Sequence, residues 1–315
     1  EKKSGPAFRK LQDSELVAVM RRDIEKARDY AERHGVPRWY GDAGELIADR
    51  EVDAVYIATP PSTHVEYCIR AAQAGKPVYV EKPMALNGTE ALRMVEACRK
   101  SGVPLYVAYY RRTLPRFGKV KELVDEGAIG DVRVVQTSIL TPASPQDAAE
   151  EKPWRVLPEI SGGGDFFDLA AHSLDYLDFL LGPIAKVHGI AGNQGGFYAA
   201  EDSISASWRF ENGVIGTGTW CFDAAHKTDT NIITGTEGEI RFSTLGTEPV
   251  ELRRGDELRR FAIENPEHVQ QPLIQTIVDE LLGRGSCPST GESALRTTLV
   301  MDEIVADYYR NGVSD

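Results

Sequence analysis

A histidine and two carboxylates recur at helical spacing in the middle of the chain. Asp168, His172 and Asp175 follow the glycine run 162–164 at positions i, i+4 and i+7. This spacing places the three side chains in one narrow stripe of a helix that Asp165 can start. An imidazole with a carboxylate one turn away is a positioned proton donor or acceptor. The alternative is a solvated polar face that carries a structural histidine.

A lysine stands at the end of a predicted buried strand, in the run Val80-Glu81-Lys82-Pro83. Ligands of open α/β sheets bind outside the carboxyl ends of the strands. Pro83 disfavours helical geometry at Lys82 and can form a cis bond, which would fix where the ammonium points. Such a lysine can hydrogen-bond a reacting oxygen and pass it a proton. The alternative is an exposed lysine after a strand.

Two arginines, Arg21 and Arg22, follow the first predicted strand, where a dinucleotide fold faces the adenosine ribose. An acid at this place favours NAD, whereas an arginine accommodates the 2′-phosphate of NADP. Because Arg21 occupies the place of the acid, the sequence favours NADP over NAD. Arg22 or Asp23 could turn towards the ribose instead, and the alternative is a charged helix start capped by Asp23.

Three further segments have the composition of a cofactor or substrate wall. Thr59-Pro60-Pro61 ends a second predicted strand, and its prolines hold the turn rigid. Trp154-Arg155 offers a flat ring and a guanidinium that can pair with a phosphate. Tyr109, Tyr110, Arg111 and Arg112 lie at a predicted domain boundary, where substrates often bind. A tyrosine pair there could also be ordinary packing.

The elements that must position these residues change character along the chain. In the first third, apolar runs at 16–20, 53–59, 77–80 and 103–108 alternate with helical segments, as in a parallel sheet covered on both faces. A Thr63–Glu66 capping box is expected to open the helix after the second run. Beyond residue 115, alternating strands joined by turn signals surround one helix (165–181), and two helices (272–282 and 292–310) close the chain.

The fold class follows from this change of pattern. We predict an α/β Rossmann-like NAD(P)-binding domain over residues 1–112 and an α+β domain with a large, mostly antiparallel open sheet over 113–315. The glycine-rich phosphate turn and its strand are missing from the start, so we expect the sequence to lack roughly a dozen or more residues there. The uncovered face of the second sheet must be solvated or contact a partner subunit.

Composition excludes several classes of protein. The 315 residues are 42% apolar and 27% charged, which is typical of a globular chain rather than a disordered one. A net charge of −12 argues against nucleic-acid binding. The four cysteines are far apart and favour neither a metal site nor a disulfide framework. With no signal peptide or membrane span in evidence, we expect a soluble, cytoplasmic protein.

Taken together, these residues resemble the glucose–fructose oxidoreductase / inositol dehydrogenase / rhizopine-catabolism (Gfo/Idh/MocA) family. The resemblance covers nearly the whole chain. Its 1,5-anhydrofructose reductase and dihydrodiol dehydrogenase branches are the most similar. Ala108-Tyr109-Tyr110 stands where the family more usually has Gly-x-Asn. The motifs that carry the resemblance are Ala58-Thr59-Pro60 with His64, Glu81-Lys82-Pro83, Tyr110-Arg111-Arg112, Trp154-Arg155, and Gly162-Gly163-Gly164 with Asp168 and His172.

The resemblance implies roles for individual residues. Lys82 would stabilise the substrate oxygen and the nicotinamide geometry, His172 would be the acid/base, and Asp168 would orient it or bind a hydroxyl. Substrate contacts are expected from Tyr110, Asp168 and His172, in a protein that forms dimers or tetramers through its open sheet. Cofactor contacts are expected from Arg21, Arg22, Thr59, Pro60, His64, Glu81, Lys82, Arg111, Trp154 and Arg155.

The predicted function is hydride transfer between NADP or NAD and a CH–OH or C=O carbon of a sugar, cyclitol or related polyol. One alternative is a regulatory protein that senses NAD(P) without turnover. Such a protein is expected to lose the lysine or the histidine, whereas this chain has both. The other alternative is a glycosidase-type lyase that keeps its NAD bound through turnover.

Overall fold

The first part of the chain is built on short parallel strands, in a computed structural model that describes residues 4–310. β1 pairs with β2, and β3, β4 and β5 form a second group in that order. The strands are β1 Ala18–Met20, β2 Arg38–Tyr40, β3 Val55–Ile57, β4 Val78–Val80 and β5 Leu105–Val107. The helices are α1 Gly5–Lys10, α2 Ile24–His34, α3 Ala43–Ala48, α4 His64–Gln73 and α5 Gly88–Ser101. The predicted Rossmann-like alternation is confirmed, with β2 and α3 as additions.

Capping residues set the ends of two of these helices, and the Asp23 cap is the one that the sequence predicts. The Asp23 side chain accepts a hydrogen bond from Lys26 N, and α2 ends at Gly35, whose φ of 61° is left-handed. Asn87 accepts from Glu90 N at the start of α5, which ends at Gly102 in the same left-handed conformation. The C-terminal ends of both helices are set by the local sequence, because glycine alone adopts the left-handed conformation without a steric penalty.

The predicted Thr63–Glu66 capping box at α4 is wrong. Thr63 has helical backbone angles, so its hydroxyl does not reach the next amides. The hydroxyl lies 2.7 Å from Thr59 Oγ1 and 3.0 Å from the Pro60 carbonyl oxygen. A short 3₁₀ turn, Pro61–Thr63, occupies the place of the expected cap.

The second part of the chain is an eight-stranded sheet in the order β13-β12-β11-β10-β6-β9-β8-β7. All neighbouring pairs are antiparallel except β6 with β9, so the predicted open, mostly antiparallel sheet is confirmed. Gly213 and Gly255 lie in hairpin turns with positive φ, as the turn signals indicate. The strands are β6 Val132–Leu140, β7 Ile184–Gly192, β8 Ser203–Phe210, β9 Ile215–Cys221, β10 Thr228–Gly235, β11 Glu239–Phe242, β12 Val250–Arg254 and β13 Glu257–Phe261.

Helices cover one face of this sheet and return to the first part of the chain. The last long helix, α10, packs against α8 and β7 and also against α5 and β5, so the chain end joins both parts. The predicted final helix 292–310 is broken after Ile304. Among the described residues, no helix has the length and apolar composition needed to cross a bilayer. The helices are α6 Pro115–Asp125, α7 Pro158–Ser161, α8 Ala171–Leu181, α9 Gln271–Leu281, α10 Gly291–Ile304 and α11 Ala306–Arg310.

A buried ion pair fixes the connection between the two parts. The Arg112 guanidinium donates to both carboxylate oxygens of Asp175 in α8, at 2.8 and 2.6 Å. The same guanidinium also donates to the Pro288 carbonyl oxygen at 2.6 Å. Both side chains are almost fully buried, and removing one partner of such a pair costs about 3–5 kcal/mol. The division at residue 112 stays a prediction, and this pair lies at that position.

Candidate functional site

Lys82 and Asp168 form an ion pair between the two parts of the chain. Lys82 follows β4, and its bond to Pro83 is cis. The Lys82 ammonium donates to the main-chain oxygen of Asp168 at 2.7 Å and to Oδ1 of its carboxylate. The Lys82 side chain is only 11% exposed and that of Asp168 27%, so the alternative of a free surface lysine is wrong.

Asp168 lies in a π-helical turn rather than in a regular helix. The turn covers Phe166–Ala170 and continues directly into α8. The other oxygen of the Asp168 carboxylate, Oδ2, lies 3.4 Å from Arg155 Nε. Single π-helical turns occur frequently at functional sites, because they redirect side chains within a helix. Here the turn carries the carboxylate that contacts both Lys82 and Arg155.

His172 lies in α8 and is buried at the domain boundary. Its exposed fraction is 4%. The rings of Tyr109 and Tyr110 approach the imidazole edge-on, with centroids at 6.2 and 5.4 Å. Since Asp175 is also buried against Arg112, the alternative of a solvated polar face is wrong. The predicted stripe of Asp168, His172 and Asp175 therefore faces the first part of the chain.

Glu81 is held by two residues that sequence analysis missed. The Tyr56 hydroxyl and the Gln270 amide both donate to its Oε1, at 2.5 and 2.6 Å. Gln270 accepts in turn from the Tyr79 hydroxyl at 2.8 Å. Gln270 lies 189 positions from Glu81, so no local pattern could have identified it. The network fixes the backbone immediately before Lys82.

His64 is fully buried and bridges the ends of β3 and β4. Its Nε2 lies 2.8 Å from the Thr59 carbonyl oxygen and its Nδ1 3.2 Å from that of Pro83. Burial lowers the pKa of the His64 imidazole, and a neutral ring can donate to only one of the two oxygens. This placement suits a residue that positions Thr59 and Pro83, and direct cofactor contact by His64 stays a prediction.

The glycine run lies so close to two neighbouring backbone segments that a larger side chain would not fit there. A Cβ at Gly162, where φ is 92°, would lie 2.5 Å from the Leu86 carbonyl oxygen. A Cβ at Gly164 would lie 2.5 Å from the carbonyl oxygen of Glu201. The tight approach that the three glycines indicate is therefore present, and it joins the segment after Lys82 to the segment before β8.

The prediction that Asp165 caps the following helix is wrong. Its backbone is already helical, and its side chain makes no capping hydrogen bond. The Gly164 N–H instead donates to Oε1 of the buried Glu201 at 2.9 Å, and the Tyr309 hydroxyl donates to Oε2 at 2.5 Å. Burial raises the pKa of Glu201 to about 7. Burial, followed by the charge of Asp168, raises the pKa of Asp165 to about 6.

The remaining predicted residues occupy different environments. Arg21 and Arg22 are exposed after β1, and Thr59 and Pro60 are partly buried after β3. The Arg155 guanidinium stacks on the Trp154 ring at 4.5 Å. Arg111 is buried, lies 5.1 Å over the Tyr110 ring and donates to the Thr244 carbonyl oxygen at 2.7 Å. Its observed contact is thus to the second part of the chain, and its cofactor role stays a prediction.

The ends of the parallel strands fit a nicotinamide dinucleotide. Two exposed guanidiniums after β1 can neutralise phosphate, and Lys82 after β4 lies where ligands of such sheets bind. Arg21, Thr59 and Lys82 follow the ends of β1, β3 and β4, and ligands of open α/β sheets bind at these carboxyl ends. The donor set therefore suits an elongated anionic cofactor.

Comparisons with known proteins show the family and the fold. Residues 1–109 match the model of the oxidoreductase family with an NAD-binding Rossmann fold, and residues 117–241 match the GFO/IDH/MocA C-terminal domain. Oxidoreductase P35 of Formosa agariphila is 42% identical over 96% of this chain and 94% of its own. The 1,5-anhydro-D-fructose reductase of Ensifer adhaerens is 28% identical over 89% of this chain and 85% of its own. The aldose–aldose oxidoreductase of Caulobacter crescentus, solved with glycerol, superposes with a TM-score of 0.86 at 25% identity, covering 98% of this chain and 93% of that one.

The raised pKa of Glu201 makes the stability of the protein depend on pH. From the ordinary value of 4.5 to about 7, the unfolded chain loses the Glu201 proton while the folded chain keeps it. The free energy of unfolding therefore falls as pH rises through this window, by about 3 kcal/mol in total. We expect Glu201→Gln to remove this slope, measured as urea unfolding at several pH values. The exposed Glu96→Gln serves as control, and parallel curves for wild type and Glu201→Gln would contradict the assignment.

Proposed function

The chain belongs to the Gfo/Idh/MocA family of NAD(P)-dependent oxidoreductases, and we propose that Lys82, His172 and Asp168 carry out its chemistry on a sugar, cyclitol or related polyol. The observation that supports this proposal best is the Lys82–Asp168 pair. It brings the Lys82 ammonium from the end of β4 to the π-helical turn that leads into the His172 helix. Oxidoreduction at a CH–OH carbon needs a proton donor and a proton acceptor at the reacting oxygen.

In this proposal each residue has a separate task. The bound nicotinamide accepts or supplies the hydride. Lys82 donates a hydrogen bond to the reacting oxygen of the substrate and stabilises negative charge that develops there. His172 takes the hydroxyl proton when the alcohol is oxidised and returns it when the carbonyl is reduced. Asp168 holds the Lys82 ammonium in place and can accept a hydrogen bond from a second hydroxyl.

The proposed substrate class rests on the walls of the site. Trp154 presents a flat ring beside Arg155, and aromatic planes pack well against the C–H faces of sugar rings. Asp165 and Asp168 add carboxylate oxygens that can accept hydrogen bonds from neighbouring hydroxyls. The names of 1,5-anhydro-D-fructose reductase and aldose–aldose oxidoreductase point to the same class. Ala108-Tyr109-Tyr110 stands where the family more usually has Gly-x-Asn, and its two tyrosine rings add bulk around His172 that would narrow the choice of substrate.

Removing either proton-transfer group should abolish turnover while the cofactor still binds. For Lys82→Ala and for His172→Ala we expect kcat to fall by at least about 100-fold, because general acid–base groups contribute this much. The dissociation constant of the cofactor should change by less than about 3-fold. The assay follows reduced-nicotinamide absorbance with sugars, inositols, anhydro-sugars and diols, each with both cofactors. The exposed Lys121→Ala and His226→Ala are matched controls, and near-wild-type rates in both site variants would refute the proposed roles.

We propose NADP as the preferred cofactor, with NAD as the alternative. The Arg21 N–H donates to the Tyr40 carbonyl oxygen, which fixes Arg21 beside the ends of β1 and β2, and its side chain is exposed. A guanidinium there can form paired hydrogen bonds with a 2′-phosphate.

The cofactor proposal can be tested at Arg21 itself. We expect Arg21→Ala to weaken NADPH binding by at least about 10-fold and NADH binding by less than about 2-fold, because only NADPH carries the 2′-phosphate. Nicotinamide fluorescence titration measures both constants. Arg28→Ala, an exposed arginine of α2, should change neither. Equal weakening of the two cofactors by Arg21→Ala would remove the 2′-phosphate argument.

We also propose that the open face of the eight-stranded sheet pairs with a second copy, as a dimer or within a tetramer. Neighbouring strands β6 and β9 present Val134 beside Ile215, and Ile215 is 53% exposed. Across β9, β6 and β10, the same face carries small polar side chains such as Thr217, Thr219 and Thr230. Sheets of this kind pack face to face at about 10 Å.

We also propose a cytoplasmic location, which is supported by four cysteines that form no disulfide.

A charged side chain in the middle of this face should break the assembly. Thr217→Arg places a guanidinium between two packed sheets, where it would be buried without a partner. We expect this variant to be a folded monomer when wild type is a dimer or tetramer, measured by light scattering after size exclusion. Thr89→Arg, on the exposed surface of α5, is the matched control. Equal masses for wild type and Thr217→Arg would exclude this face as the interface.

A further inference from the structure

We infer that Glu201 is a positioning residue for the reaction, which holds the start of the catalytic helix through Gly164 and is itself held by Tyr309 of α11. The inference rests on the roles proposed above for Lys82, Asp168 and His172. Glu201 lies in the segment before β8, and Tyr309 lies near the described end of the chain. Neither residue touches Lys82, so both would act through the glycine run.

Glu201 holds the residue that directly precedes the start of the catalytic helix, where no local side chain caps the helix. The first N–H groups of a helix have no partner within the helix, and a negative charge near them is favourable. The Gly164 N–H donates to Glu201 Oε1 at 2.9 Å, and Glu201 has no exposed surface. Asp165, the nearest acidic residue, makes no such bond. The start of the helix is therefore fixed by a residue 37 positions away.

The glycine run transmits the position of Glu201 to the ion pair. Gly164 lies so close to the Glu201 backbone that a Cβ there would be 2.5 Å from its carbonyl oxygen. Gly162 lies equally close to Leu86, four residues after Lys82. The run thus lies between the Glu201 segment and the Lys82 segment, and Asp168 follows it by four residues. A shift of the segment that contains Glu201 would move the glycine run, and it would therefore change the distance between the Asp168 carboxylate and the Lys82 ammonium.

Helix α11 holds the Glu201 segment by two adjacent tyrosines. The Tyr309 hydroxyl donates to Glu201 Oε2 at 2.5 Å, and the Tyr308 hydroxyl donates to the Ala199 carbonyl oxygen at 2.9 Å. Both bonds join residues more than 100 positions apart. Because a 1 Å displacement of a reacting group can cost about 100-fold in rate, a contact of this kind can control kcat from a distance.

Three variants test the inference by separating kcat from binding. Glu201→Gln keeps an oxygen for the Gly164 N–H and gains an amide that can donate to the Tyr309 oxygen, so kcat should stay within about 3-fold of wild type. Glu201→Ala leaves the buried Gly164 N–H unpaired, and kcat should fall by at least about 10-fold. Tyr309→Phe removes one hydroxyl, and kcat should fall by about 3- to 10-fold. Cofactor dissociation constants should stay within about 3-fold throughout, since the cofactor contacts lie on other strands.

The measurement counts only folded enzyme. Rates are divided by the concentration of cofactor-binding sites from fluorescence titration, so partial unfolding does not imitate a loss of kcat. Glu96→Ala and Tyr67→Phe are matched controls on α5 and α4. If Glu201→Ala does not fold, Tyr309→Phe decides, because it removes a single oxygen atom.

The outcomes distinguish this inference from the proposed function. One outcome is that Glu201→Ala and Tyr309→Phe lower only the melting temperature and keep the wild-type kcat per site. That result would show that Glu201 stabilises the fold and does not position the reacting groups. A Glu201→Gln enzyme as slow as Glu201→Ala would overturn the hydrogen-bonding account. Both results leave the proposed function intact as long as Lys82→Ala is inactive, whereas an active Lys82→Ala enzyme refutes that function directly.

Discussion

The site depends on the ion pair between Lys82 and Asp168, because its partners come from different parts of the chain. An ammonium and a carboxylate that are largely removed from water attract each other strongly only while their geometry is maintained. Several features near the pair can be understood as supports for it. The Tyr56–Glu81–Gln270 network fixes the backbone before Lys82, and the π-helical turn directs Asp168 towards it.

The relative position of the two parts is fixed by contacts that lie away from the site. Arg112 and Asp175 form a bidentate pair in which both side chains are almost fully buried, and such a pair tolerates little change in distance or angle. Helix α10 packs on α5 and β5 of the first part and on α8 of the second. The position of α8 relative to the first part is therefore fixed by α10 as well as by the Arg112–Asp175 pair. His172 is part of the same helix. Its position relative to Lys82 is therefore set by the packing of the whole boundary and by no single bond.

Local patterns predicted the elements and the main chemical groups, and they failed where the partner is distant. The Asp23 cap and the glycines after α2 and α5 act within one helical turn, so local sequence is enough to indicate them. Lys82, Asp168 and His172 are singled out by neighbouring glycine and proline residues, and their catalytic roles stay a prediction. The Asp165 cap was wrong because the Asp165 backbone is already helical, and the carboxylate that contacts the start of the helix is that of Glu201, 37 positions from the Gly164 N–H that it accepts from. Gln270 was missed for the same reason, and β2 was missed because three partly exposed residues carry no periodicity.

Three carboxylates near the glycine run differ in environment, and this difference assigns them separate tasks. Asp168 faces the cations Lys82 and Arg155, so it suits an anionic partner for the ammonium. Glu201 accepts hydrogen bonds from the Gly164 N–H and the Tyr309 hydroxyl, and its burial raises its pKa to about 7. Asp165 lies between these two environments, with its pKa raised to about 6 by burial and by the charge of Asp168. Pairs of acidic groups whose surroundings separate their pKa values are how one fold divides acid, base and structural roles. A carboxyl that ionises near neutral pH can retain a hydrogen bond in either form, and this suits Glu201 as the fixed end of the catalytic helix.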